Sequence, residues 1–126
     1  MGKENDIVKA IENNYGDFHD AVISSICYER YNLNESKLIV RISTRNFLSS
    51  DLKVEKIELI CSGIIALRFI ELSAFSSSIV TSAKIITDKN HFVLDFFPDI
   101  YSDRLEINEN SDFIVKFKTI EIKKIN

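Results

Sequence analysis

Twenty of the 126 residues are isoleucine, and over most of the chain the isoleucines and their apolar neighbours recur at every second position. A side chain branched at Cβ loses rotamer freedom in a helix but packs well on a pleated surface, and a period of two puts successive residues on opposite faces of a strand. Sheet is therefore the expected majority structure. Val22, Ile26 and their neighbours up to Tyr28 alternate and meet the polar cluster Asn32–Ser36, and Lys37–Thr44 answers with Leu38, Val40 and Ile42 on one face. These two segments predict an antiparallel hairpin. After a looser stretch, Arg45–Leu52, Val54–Cys61 reads as a third strand, followed in meander rhythm by Ile79–Thr87, His91–Phe97, Arg104–Asn108 and Phe113–Ile122.

One helix precedes the strands. Ile7, Val8 and Ile11 lie at helical spacing within Asn5–Tyr15, with Asn5 or Asp6 available as a cap and Gly16 as a terminator that accepts a left-handed conformation. Ile64–Leu72 fits either a second short helix or a continued strand, the serine-rich stretch 73–78 is expected to be irregular, and Gly63 marks a bulge, a bend or a change of element. In the last strand Phe113, Val115 and Phe117 share one face while Ile120 and Ile122 fall on the other, with Lys116 and Lys118. Either a bulge near Thr119 resets the register or the strand crosses between packing environments. The expected fold is α+β in a single domain over residues 1–126: an N-terminal helix packed on a strongly bent, mostly antiparallel sheet of about seven strands, or on an open barrel.

Charge and composition exclude several function classes. A net charge of −3 argues against a dedicated nucleic-acid binder, which needs cations to neutralise phosphates. The basic stripe Lys116, Lys118, Lys123, Lys124 is short and mixed with Glu121, too little to offset the acidic balance. No apolar run reaches the roughly 20 residues of a bilayer span, and the acidic N-terminus resembles no export signal, so a cytoplasmic protein without a membrane partner is expected. Cys27 and Cys61 each sit in an alternating apolar run and are expected as reduced core thiols. No spacing of His and Cys suits a metal, and no cofactor is expected.

Two polar constellations remain. Asp17-Phe18-His19-Asp20 lies between Gly16 and the first strand. A histidine beside carboxylates can serve as a general base, but the same residues can tie a helix-to-strand corner through backbone hydrogen bonds, with Phe18 anchored in the core. The second is acidic: Asp95, Asp99, Asp103, Glu106, Glu109 and Asp112 fall within eighteen residues where Arg104 is the one strong base, and Tyr101 lies among them. Brought together by loops, these carboxylates would steer a basic protein partner, with Tyr101 as an anchor; otherwise they are solvated loop residues.

The blocks Gly16–Ile26 (GDFHDAVISSI), Leu38–Ile42, Ile57–Ile64 and Phe113–Ile122, taken in order, resemble bacterial immunity-type proteins of polymorphic toxin and contact-dependent inhibition systems, in which Phe-His-Asp-Ala leads into the first strand of a β-rich body. Phe18, His19, Asp20 and Ala21 match that motif, whereas Cys61-Ser62-Gly63 stands where such proteins often carry Phe before Gly. The resemblance implies a non-enzymatic cytoplasmic protein, monomeric or weakly dimeric, that binds one cognate toxin domain, often a nuclease, and blocks it. Two other readings stay open: a secretion chaperone clamping an effector segment, and a small ligand-binding or enzyme domain using His19.

Overall fold

The computed structural model describes residues 2–71 and 79–125, and the serine-rich stretch lies outside them. Helix α1 (Gly2–Lys9) passes into a π-helical turn, Ala10–Asn14, closed by the bond from the Tyr15 N–H to the Ala10 carbonyl at 3.0 Å. The apolar spacing is used as expected: Ile11 is fully buried, and Ile7 and Val8 pack against the core. The helix begins earlier than Asn5, so neither Asn5 nor Asp6 caps it.

Among the described residues nine strands follow: β1 (Ala21–Asn32), β2 (Glu35–Arg45), β3 (Val54–Phe69), β4 (Ile79–Val80), β5 (Lys84–Asp88), β6 (His91–Asp95), β7 (Asp99–Ile100), β8 (Leu105–Glu106) and β9 (Phe113–Ile125). Seven form one antiparallel sheet in the order β4-β1-β2-β3-β9-β6-β5, and β7 and β8 form a separate two-stranded ribbon. The sheet curls into a half-barrel with the helix as the one α-helical layer among the described residues, so the molecule is mostly β. The chain is no simple meander. The C-terminal β9 inserts between β3 and β6, where Phe113, Val115 and Phe117 are buried.

The ambiguous stretch after Gly63 is strand as far as Phe69, because β3 keeps pairing with β9 through Phe69↔Phe113. Leu67 and Phe69 are thereby set in register with β9 rather than on one side of a helix. The change of apolar face expected in the last strand is real: Phe117 and Ile120 are both buried, with exposed Lys118 and Thr119 between them. Gly63 lies across from that point at φ +69, where an added Cβ would meet the Lys118 Cβ at 3.0 Å, and the β3 register shifts between Ile64 and Ala66. A left-handed glycine and a bulge thus reset the two longest strands together.

The core is joined by a row of rings. Tyr15 stacks on Phe18 (6.1 Å between centroids), Phe18 on Phe96 (6.4 Å) and Phe96 on Phe113 (4.4 Å), and Phe69 meets Phe113 edge-on at 5.0 Å. The end of the helix, the corner before β1 and the chain leaving β6 are therefore packed as one unit. Cys61 is buried, and burial pushes its thiol well above the ordinary range. Cys27 is a correction: it is exposed, because β1 presents it on the face opposite Tyr28 and Ile26, which pair with buried Leu38 and Val40.

Candidate functional site

The corner before β1 is strained. Gly16, Asp17 and Phe18 take φ of +55, +56 and +55, and Asp20 takes +59. Left-handed backbone costs an L-residue about 1–2 kcal/mol and is unusual for a bulky residue such as phenylalanine. What holds it is on both sides of the chain. Phe18 is fully buried in the ring row, the Asp17 carbonyl accepts the Ala83 N–H at 2.6 Å, and the Asp20 N–H reaches the Thr81 carbonyl at 3.4 Å. Burial and the neighbouring Glu12 raise the Asp17 carboxyl above its ordinary range, with Lys84 opposing them.

His19 is half exposed and lies in this lattice. Its Nδ1 is 2.7 Å from the Thr81 carbonyl oxygen and 3.3 Å from Ser82 Oγ, while Nε2 is 3.4 Å from Asp20 Oδ2. Serine, histidine and aspartate are thus in sequence of contact, which on distance alone invites a nucleophilic reading. The tautomer argues otherwise. A carbonyl oxygen only accepts, so Nδ1 must carry the hydrogen it donates to Thr81, and it has no lone pair to take a proton from Ser82. The bonds at His19 fasten Thr81 and Ser82 to the corner, which is the structural alternative that the sequence left open.

The acidic segment divides in a way the sequence does not reveal. Asp95 is completely buried at the end of β6; its Oδ1 accepts the Phe97 N–H at 2.9 Å and its Oδ2 accepts the Asn108 N–H at 2.8 Å. It touches no solvent and is withdrawn from the candidate contact surface. One oxygen holds the outgoing limb of the 96–112 excursion and the other the returning limb, so Asp95 fixes the position of the rest. The Phe96 N–H bonds to the Phe113 carbonyl at 3.0 Å and closes the base.

Beyond that base stands the β7–β8 ribbon, paired through Asp99↔Glu106 and Ile100↔Leu105 and closed by the Tyr101 N–H on the Arg104 carbonyl at 2.9 Å. Ile100 and Tyr101 are about half exposed at its tip. The Arg104 guanidinium lies 4.7 Å from the Tyr101 ring centre and pairs with Asp103 at 3.0 Å and Glu106 at 3.3 Å. Asp99 accepts from the Asn108 side-chain amide at 3.3 Å, and Glu109 pairs with Lys116 at 3.4 Å. Asp112 has an exposed side chain, while its carbonyl accepts the Ile70 N–H at 2.7 Å. Asp99, Tyr101, Asp103 and Glu106 are therefore gathered on one ribbon, whereas Glu109 and Asp112 lie on the returning limb. Charge counting passes over Ile100, and it sees in Arg104 only a stray base, although Arg104 organises the tip.

Among the described residues no group of three or more His, Cys, Asp or Glu is placed to hold a metal ion, and no helix is long and apolar enough to cross a membrane. No protein-family model, curated protein or solved structure matches the chain.

Proposed function

We propose that this is an immunity-type protein of the cytoplasm, which neutralises a cognate toxin domain by binding it through the 96–112 excursion. The observation that carries the reading is the anchored ribbon: a buried carboxylate holds both limbs, and the tip presents Ile100 and Tyr101 within a rim of Asp99, Asp103 and Glu106. Interfaces draw most of their energy from a few preorganised aromatic and arginine anchors, while the surrounding charge sets approach and orientation. Five surface carboxylates against Arg104 in this segment favour a basic partner surface. The reading needs no metal, cofactor or catalytic group, and the arrangement at His19 gives an enzyme reading no support.

The test is co-production with whatever toxin domain the neighbouring gene encodes. A stable complex and protection from growth arrest are expected, and Tyr101→Ala should weaken the complex about 30-fold, the loss typical of a hot-spot aromatic. Failure to form any complex, or to protect, would sink the proposal.

A further inference from the structure

The end of the molecule away from the ribbon has a different character. The loop from Asn46 to Lys53, between β2 and β3, is closed by the Asn46 N–H on the Lys53 carbonyl at 3.0 Å, and its interior N–H groups are held by Asn46, Ser49 and Asp51. Phe47 ties it to the helix end through its N–H on the Asn14 carbonyl at 2.7 Å, and its ring lies 2.7 Å from where a Cβ on Gly16 would stand. With most of its N–H groups bonded and its root fixed, the loop and the start of β3 turn apolar side chains outward: Leu48 is 70 % exposed, Leu52 42 % and Val54 57 %.

Cations stand behind this tip. Arg45 pairs in register with Val54, Lys53 adjoins it, and Lys53, Lys56 and Lys124 line a cleft of about 480 Å³ with Glu55 and Ile125. Glu55 is held internally by the Tyr15 hydroxyl, the Asn46 amide and Lys124, whereas Asp51 in the loop accepts from Ser49 and the Lys53 N–H, bonds that keep its carboxyl below the ordinary range and charged; Arg45, Lys53, Lys56 and Lys124 still outnumber these two carboxylates. Arg45, Lys53 and Lys56 make no ion pair among the described residues. Lys56 stands two residues into β3 from Val54, about 7 Å behind the tip at strand spacing.

We propose that this end docks on the surface of an anionic bilayer, with Leu48, Leu52 and Val54 entering the interface and Arg45, Lys53 and Lys56 meeting the lipid phosphates. Exposed aliphatic side chains on a turn, with unpaired cations on the adjoining strand ends, fit the order of hydrocarbon and headgroup in a membrane, whereas an acidic protein would need a receiving groove beneath the aliphatic side chains. The contact is peripheral, and its hydrophobic signal is too short and too discontinuous to read as a membrane segment in sequence. It does not depend on the immunity reading: its residues come from the β2–β3 loop and the adjoining strand ends, and none belongs to the ribbon.

The experiment is sedimentation of the full chain with vesicles of phosphatidylcholine alone and with phosphatidylglycerol added. Binding to the mixed vesicles, absent on the neutral ones and reduced by salt, is expected. Lys53→Gln with Lys56→Gln should lower the partition about 30-fold, roughly fivefold per lysine lost at an anionic surface. Leu48→Ser with Leu52→Ser should lower it about tenfold or more while leaving toxin binding unchanged; both pairs are exposed, so circular dichroism should match the parent. No binding to the mixed vesicles would overturn the proposal. So would binding that survives the leucine changes, or equal affinity for soluble polyglutamate, which would point to an acidic protein.

Discussion

Replacing Asp95 should release the ribbon that carries the proposed contact surface, and the cost follows from two bonds. The carboxylate is fully buried and accepts the N–H groups of Phe97 and Asn108 at 2.9 and 2.8 Å. Asp95→Ala leaves two N–H groups without an acceptor and opens a small void. A hydrogen bond to a charged group contributes about 1.5–3 kcal/mol, but loop relaxation can bring water to the freed donors, so about 3 kcal/mol is expected for the pair. In a chain of this length that lowers the melting temperature by about 12 °C. Asp95→Asn should do nearly as much harm, because one amide oxygen still accepts while the amide nitrogen is turned against the other N–H. Urea denaturation gives the stability, and hydrogen exchange at Phe97 and Asn108 gives its location; both amides should lose protection before the core strands do. Variants within about 0.5 kcal/mol of the parent, with both amides still protected, would refute the anchoring role.

Three further outcomes follow from the geometry. Gly16→Ala should cost about 1–3 kcal/mol in urea melts, since φ is +55 and the new Cβ would meet the Phe47 ring at 2.7 Å, and it should loosen the 46–53 loop. His19→Ala loses a 2.7 Å bond at a half-exposed site and should lower stability by about 1 kcal/mol without changing toxin binding; loss of protection at unchanged stability would assign His19 a direct role. The Tyr15–Glu55 pair shapes the pH profile. The Asn46 amide and the Tyr15 hydroxyl hold Glu55 below its ordinary value of 4.5, so that contribution is present above about 4.5 and is lost as acid protonates the folded state. Burial and Glu55 push Tyr15 from 10 to about 12, so its contribution is present below pH 10 and is lost between about 10 and 12. Tyr15→Phe should flatten the alkaline limb of a stability-versus-pH series.

Much of the fold is legible in the residues because alternation is a local signal. The hairpin of β1 and β2, with its turn at Leu33–Asn34 inside the expected Asn32–Ser36 cluster, the helix face of Ile7, Val8 and Ile11, and the change of face in β9 all follow from spacing. What spacing does not encode is which strands become neighbours. The insertion of β9 beside β3 depends on long-range pairing, and the 64–69 stretch is strand because β9 is there to receive it. Local reading likewise counts charges but does not see burial. Asp95 looks like its acidic neighbours until the N–H groups of Phe97 and Asn108 fold over it, and Cys27 looks like Cys61 until the pairing of β1 turns it outward. The 46–53 loop reads as a loose separator in sequence because spacing does not tell which of its apolar side chains stay exposed, as Leu48 and Leu52 do, or that Lys53 and Lys56 share a cleft with Lys124 from another strand.

The role proposed for the ribbon is most directly measured by titration calorimetry of the proposed cognate toxin domain, sought in the neighbouring gene, against the parent and two variants. Tyr101→Ala should weaken binding about 30-fold, and Asp99→Lys with Asp103→Lys should weaken it further and remove its salt dependence, both in proteins as stable as the parent. Unchanged affinity in both variants would place the toxin contact elsewhere on the molecule and contradict the ribbon as its binding surface.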